Sequence, residues 1–174
     1  MSDPIEIELK PVSHITADAI GAPGQRVFYL QGWKDDTAVS LIIEKFQLQS
    51  LAIGVEQFLA QINQQLPMLS EASSEYDEAQ MHIHPPVEPL FRVSEFGLSY
   101  DAESDLIALV AREVPDSAEE AGSVVRYWCT RSQIRALIHW GVEIANRGRP
   151  ACPQCGQPME AEGHFCARKN GHKA

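Results

Sequence analysis

The alternation of apolar and polar positions predicts strands followed by one helix in the first half of the chain. Residues 26–33 and 37–46 are rich in aromatic and branched side chains, and a polar break suited to a reversing turn separates them. A further strand is expected near residues 5–12. From Ser50, apolar side chains recur at the spacing of one helix face. This stripe consists of Leu51, Val55, Phe58, Leu59 and Ile62.

The same order of elements recurs in the second half. Two strands surround a polar turn, a third strand follows, and an amphipathic helix comes last. Thr130 or Ser132 is the expected N-cap of this helix, and Gly148 is its expected stop. The predicted strands span residues 91–100, 105–114 and 123–130, and the predicted helix spans residues 130–148.

The repeated order predicts a duplication. Sliding the first helix by 83 residues onto the second matches Leu51 with Ile134 and Val55 with Ile138. The expected fold is therefore α+β: an antiparallel sheet built from two duplicated strand-strand-strand-helix units, with both helices on one face. The units are predicted at about 5–66 and 90–148 with a linker over 67–89, so that the domain spans 1–148 and a zinc-binding tail spans 149–174.

Composition and charge narrow the class of protein. The chain has 174 residues, of which 44% are hydrophobic, which suffices for one continuous core. The net charge is −10, divided between +3 over residues 147–174 and −13 over the remainder. An acidic body repels nucleic acid and anionic membranes, so neither is an expected partner. Without a membrane-length apolar run or a secretory signal pattern, we expect a cytoplasmic protein.

The C-terminal cysteines predict a structural zinc site. Cys152 and Cys155 stand three apart in a tight turn, as in a zinc knuckle. His164 and Cys166 are two apart, so in an extended segment both project to the same side and complete a tetrahedron. His172 is an alternative fourth ligand, and a redox dithiol is an alternative use of the first pair. Four protein ligands leave no open position for water, so the expected Zn²⁺ is structural.

Two further candidate sites arise from basic residues and histidines. Arg26, Glu44 and Lys45, with the glycine turn before Arg26, are candidates for binding a phosphorylated metabolite, or are ordinary residues at strand ends. His82 and His84 lie in the linker as extra metal ligands or as part of a surface loop. Cys129 is expected to be a small buried hydrophobe. No catalytic triad or nucleotide fingerprint is evident, so the sequence assigns no catalytic residue and leaves open whether the protein is an enzyme.

The sequence also resembles a known family. The runs "GAPGQRVFYLQ", "EK" and "FRV", with the tail "CPQCGQPMEAEGHFCARKNGH", are similar to the DUF3090 family, a bacterial family of uncharacterised repeat proteins with a zinc-knuckle-like tail. The resemblance implies that the cysteine tail belongs to the architecture and that the body is a repeat. The residues that match its motifs are Gly21, Pro23, Gly24, Arg26, Phe28, Tyr29, Glu44, Lys45, Cys152, Cys155, His164 and Cys166.

The sequence therefore leaves two alternative functions. The first is a non-catalytic, cytoplasmic, zinc-binding adaptor in which the basic tail docks a partner protein. The alternative is an enzyme or small-ligand protein that binds a phosphorylated metabolite near Arg26 and Lys45.

Overall fold

A computed structural model describes residues 3–22, 24–115 and 117–147 of the chain. Within these residues it contains eight strands, two long helices and one short 3₁₀ turn at Glu78–Gln80. The strands are β1 (Glu6–Leu9), β2 (His14–Ile20), β3 (Val27–Lys34), β4 (Thr37–Ile43), β5 (Pro89–Arg92), β6 (Glu95–Asp101), β7 (Leu106–Arg112) and β8 (Val124–Thr130), and the helices are α1 (Lys45–Gln65) and α2 (Arg131–Asn146).

The strands form two four-stranded sheets, in the orders β1-β8-β7-β6 and β2-β3-β4-β5. The α+β class is confirmed, but the expected single antiparallel sheet is wrong. In each sheet, three strands consecutive in sequence pair antiparallel, and the fourth strand comes from the other half of the chain and pairs parallel. Thus β1 adds to β8, and β5 adds to β4. Because the first strand of each half crosses to the other sheet, each half completes the sheet of the other half.

The two sheets contact each other through β8 and β3. Tyr127 is fully buried, and its hydroxyl donates to the Val39 carbonyl at 3.1 Å. Its ring lies over Gly32, where a Cβ atom would be 2.5 Å from the ring. Any side chain at this position would push the sheets apart, so Gly32 is required by the packing. The apolar residues of both sheets and both helices form one continuous core.

Helix α1 begins earlier than the apolar pattern predicts. The expected strand through residue 46 is wrong, because β4 ends at Ile43 and Glu44 is already the N-cap of α1. Gln47 fixes this start: its side-chain Oε1 accepts a hydrogen bond from the Glu44 backbone N–H at 2.8 Å. A glutamine three residues after the N-cap is the reciprocal half of a capping box, and it sets the first turn.

Helix α2 begins at the expected cap. Thr130 Oγ1 accepts from the Gln133 N–H at 3.0 Å, and Gln133 Oε1 accepts from the Thr130 N–H at 2.8 Å. The prediction of Thr130 as N-cap is therefore confirmed. The two helices pack antiparallel, with Leu48 of α1 against Gly141 of α2. Neither α1 nor α2 combines the length and the apolar character that a bilayer-spanning helix requires.

The linker between α1 and β5 is bound across the second sheet. Gln31 is fully buried, and its side chain bonds both the N–H and the carbonyl of His84, at 2.9 and 3.2 Å. Thr16 donates to the Met81 carbonyl. These bonds satisfy polar groups on the sheet face, so the linker is part of the packed structure. The predicted division into units at about 5–66 and 90–148 stays a prediction, and the predicted tail lies outside the described residues.

Candidate functional site

Each sheet has one edge strand that lies beside a helix. Strand β2 lies beside α2, and strand β6 lies beside α1. Edge strands carry backbone N–H and carbonyl groups that no neighbouring strand satisfies, so a protein must cover them or use them. The two edges are therefore the natural places to compare.

The same hydrogen bonds fix both helices to the sheets. Gln47 Nε2 donates to the Val93 carbonyl at 3.0 Å, and Gln133 Nε2 donates to the Val12 carbonyl at 3.4 Å. Val12 and Val93 are the residues just before the serines that lead into β2 and β6. Each glutamine therefore joins the start of a helix to the start of an edge strand.

Ser13 and Ser94, which lead into the two edge strands, also make corresponding hydrogen bonds. Ser13 donates to the Trp33 carbonyl through its N–H at 2.7 Å and its hydroxyl at 3.1 Å. Ser94 donates to the Arg112 carbonyl through its N–H at 2.7 Å and its hydroxyl at 2.9 Å. When Gln47 is aligned with Gln133, position 54 of α1 corresponds to position 140 of α2. When Ser94 is aligned with Ser13, Leu98 of β6 corresponds to Ala17 of β2.

The β2 edge is covered. Trp140 is fully buried, and its indole N–H donates to the Ala17 carbonyl at 2.7 Å, which satisfies an outward group of the edge strand. Tyr76 and His82 of the linker pack edge-on against the Trp140 ring, with centroids 5.7 and 5.4 Å away. A cavity of about 240 Å³ remains beneath linker residues 75–81. We call this region the covered edge.

The β6 edge carries a groove instead. Where α2 has Trp140, α1 has Gly54, and a Cβ atom at Gly54 would meet nothing within 4 Å. The resulting space between α1 and β6 has a volume of about 310 Å³. Phe46, at its rim, is 64% exposed. We call this space the open groove; its lining residues are Phe46, Gln47, Ser50, Leu51, Gly54, Ser94, Glu95, Phe96, Gly97 and Leu98.

The open groove is mostly apolar and slightly acidic. Glu95 is the one charged residue among its lining residues, and its side chain is exposed. Phe96 and Leu98 are half-buried on the strand side. A concave apolar surface beside a sheet edge suits an extended polypeptide, because backbone bonds to the edge and apolar side chains in the groove form together.

The predicted anion-binding residues lie at one end of β3 and β4. The Arg26 guanidinium donates to the Ile144 carbonyl at 3.2 Å, and it lies 5.0 Å from the Phe28 ring centroid. Glu44 caps α1 and forms an ion pair with Arg92. Lys45 is the first residue of α1. None of the three lines the cavity at the covered edge or the open groove, so the phosphorylated-metabolite site stays a prediction.

The linker histidines face different partners. His82 Nδ1 lies 3.0 Å from an Asp18 carboxylate oxygen, and the His84 ring lies 5.0 Å from the Trp33 ring. Both side chains are exposed, as expected for a surface loop. Across residues 3–22, 24–115 and 117–147, no three His, Cys, Asp or Glu side chains are grouped to hold a metal ion. The predicted zinc ligands Cys152, Cys155, His164 and Cys166, and the alternative His172, lie outside the described residues.

Two groups, the buried Cys129 and the half-buried His14, have shifted pKa values. Burial raises the pKa of the Cys129 thiol well above its ordinary value, and the prediction that Cys129 is a buried hydrophobe is confirmed. At the covered edge, burial lowers the pKa of His14, opposed by its bond to the Gln80 carbonyl and assisted by nearby His84. A protonated thiol with no exposed surface is a poor nucleophile, so Cys129 is structural.

The apolar pattern alone missed the open groove. An offset of 83 residues aligns Leu51 with Ile134, whereas the capping glutamines Gln47 and Gln133 require an offset of 86. An offset of 86 pairs Gly54 with Trp140, and this pair distinguishes the two edges. The signal that could have found it is the spacing of the two capping boxes. Strand β2 was also missed, because its alternating alanines carry little strand preference.

Fold and groove together define an α+β protein of two sheets, with one covered edge and one open apolar edge. The chain belongs to a family described as proteins of unknown function (DUF3090), whose model matches residues 7–166. The match confirms the resemblance found in the sequence. Comparisons with curated proteins and with solved structures found no significant match.

Proposed function

We propose that this protein is a non-catalytic interaction protein whose docking site is the open groove. The observation that supports this most directly is the pair Gly54 and Trp140. At the covered edge an indole fills the space and bonds the strand, and at the open groove the same position presents an empty apolar surface. The ligand class that fits is a polypeptide segment with an apolar side chain.

Charged side chains in the described body support a structural rather than a catalytic role for its polar clusters. Arg131 bonds both Asp105 oxygens, at 2.9 and 3.2 Å, and this holds the pKa of Asp105 below its ordinary value. Burial, with the hydrogen bond to Asp105, raises the pKa of Tyr100 to about 12. This cluster joins the turn after β6 to the start of α2, so its polar groups are accounted for by structural bonds.

We also propose that the two halves are duplicated units. The recurrence of the Gln47 and Gln133 bonds, of the Ser13 and Ser94 bonds, and of the crossed parallel strands supports this. Unrelated helices share an apolar stripe easily, but they do not share hydrogen bonds from side chains at the same positions. If the halves are duplicated, the open groove is the counterpart of the covered edge, which the chain fills with its own Trp140.

The tail is proposed to hold one structural Zn²⁺ through Cys152, Cys155, His164 and Cys166. The ligand types and spacing support it. Elemental analysis of the purified chain should give about one zinc per chain, and the Cys152→Ser/Cys155→Ser variant should lose it. Retention of zinc by this variant would show that other residues bind it.

A photo-crosslinking experiment in cells tests the docking site. The probe replaces Phe46 at the groove rim with p-benzoylphenylalanine. The control replaces Ile53, which has the same 64% exposure and lies on α1 but does not line the groove. We expect a polypeptide adduct, mapped by mass spectrometry, from position 46 and not from position 53. No adduct from position 46, or equal adducts from both, would refute the proposed docking site.

A further inference from the structure

The covered edge shows how this chain covers an edge of this kind. The linker that follows α1 crosses to the other half of the molecule and lies over β2 and α2. Met81 is 3% exposed, and the Gln80 carbonyl lies 2.8 Å from His14 Nε2. Ser132 of α2 accepts from the Ser73 N–H at 3.0 Å. The segment after the first helix therefore covers the edge beside the second helix.

The last turn of α2 lies beside residues that lead toward the start of α1. Arg26 bonds the Ile144 carbonyl in the last turn of α2, and Arg26 directly precedes β3. Phe28 of β3 pairs with Ile43, and Phe46 of the groove follows three residues later. Residues 148–174 thus begin on the side of the molecule where α1 begins. Their length is similar to that of the linker at 67–89.

The composition of residues 148–174 suits the open groove. They carry two more basic than acidic residues, whereas the groove lining carries Glu95 as its charged group. Their two large apolar side chains are Met159 and Phe165. The linker likewise brings a methionine and an aromatic residue, Met81 and Tyr76, to the covered edge. Reach is sufficient, because 18 residues from Arg147 to Phe165 can span up to about 60 Å when extended.

We propose that residues 148–174 dock into the open groove of the same chain, with Met159 or Phe165 packed over Gly54. The inference rests on the proposed docking site and names its occupant. The segment after α2 then covers the β6 edge beside α1. In the same way, the linker after α1 covers the β2 edge beside α2.

Hydrogen–deuterium exchange of the full chain tests the inference. In the Met159→Ala/Phe165→Ala variant, the amides of β6 should exchange at least tenfold faster than in the natural chain. Those of β2 should not change, because the linker still covers them. The matched control is Met68→Ala, which removes a methionine that is 99% exposed. Unchanged β6 exchange in the double variant would overturn the inference.

A second variant acts from the groove side and leaves the tail sequence intact. Gly54→Trp supplies the ring that Trp140 supplies at the covered edge, so it should expel the segment and speed tryptic cleavage after Arg168 and Lys169. Gly54→Ala, which adds one methyl group, is the control. Equal cleavage in both variants would overturn the inference.

The crosslinking probe separates the two proposals. An adduct between position 46 and residues 148–174 of the same chain supports both. An adduct with another protein, or a concentration-dependent adduct with a second copy, keeps the docking site and overturns the inference if β6 exchange is unaffected by the tail variant. The absence of any adduct from position 46 overturns both.

Discussion

The covered edge and the open groove share their hydrogen-bonded frame and differ in what fills it. Gln47 and Gln133 make the same bonds from helix to strand, and they hold both helices at the same place beside an edge strand. One helical position then separates the two regions: Trp140 at the covered edge and Gly54 in the open groove. The comparison teaches that backbone architecture is set by the shared polar bonds, while the use of each edge is set by a single apolar position.

The largest expected effect comes from opening the covered edge. Trp140→Ala removes a fully buried ring and leaves the Ala17 carbonyl without its donor, so the free energy of unfolding should fall by about 3–5 kcal/mol. Urea denaturation measures the change. Trp140→Phe, which keeps most of the apolar volume, should cost clearly less. A loss below about 1 kcal/mol for Trp140→Ala would mean that the covered edge does not depend on this residue.

The shared frame is tested by removing its glutamines one at a time. Gln47→Ala and Gln133→Ala should each lower the free energy of unfolding by about 1–3 kcal/mol, because each leaves unsatisfied a capping N–H and the carbonyl of the valine that precedes an edge strand. Gln47→Ala should cost more, since Gln47 is buried and Gln133 is half-buried. Gln49→Ala, at an exposed position of α1, is the control. A large cost at one glutamine and none at the other would contradict a shared frame.

A smaller effect should appear with pH, at the covered edge alone. The pKa of His14 lies below its ordinary value of 6.5, so in acid the folded state binds fewer protons than the unfolded state. The stability from His14 is present above pH 6.5 and is lost as pH falls toward the folded pKa. Urea denaturation between pH 7.5 and 5.5 should show this loss in the natural chain and less of it in His14→Gln. The same slope in both would place the titration elsewhere.

The sequence predicts elements better than it predicts their assembly. Periodicity found β3, β4, β7, β8 and both helices, because each carries a local pattern of apolar residues. It could not predict two sheets, since the pairing of β1 with β8 joins residues more than 100 positions apart. Nothing local in "EIEL" distinguishes a strand that adds to its own half from one that crosses to the other.

The candidate site, like the sheets, depends on contacts that local sequence patterns do not show. Glu44 and Lys45 were visible as charged residues at the end of a predicted strand, but their role at a helix start depends on the bond from Glu44 N–H to Gln47. Gly54 appeared as an ordinary glycine inside an amphipathic helix. Its role in leaving the groove open is recognised only when it is aligned with Trp140. That alignment requires both helix starts to be known. A capping box read from sequence would have supplied both starts.

The smallest expected effect is also the sharpest test of the comparison. Gly54→Ala should raise the free energy of unfolding by about 0.5–1 kcal/mol, because alanine favours a helix and its methyl group would enter empty space. Gly141→Ala should gain less or lose stability, because its Cβ atom would lie 3.0 Å from Leu48 Cδ2. If residues 148–174 pack over Gly54, the gain should be reduced in the natural chain and restored in the Met159→Ala/Phe165→Ala variant. This double-mutant cycle, followed by urea denaturation, measures the coupling directly. Equal gains in both backgrounds would mean that nothing from the tail contacts Gly54.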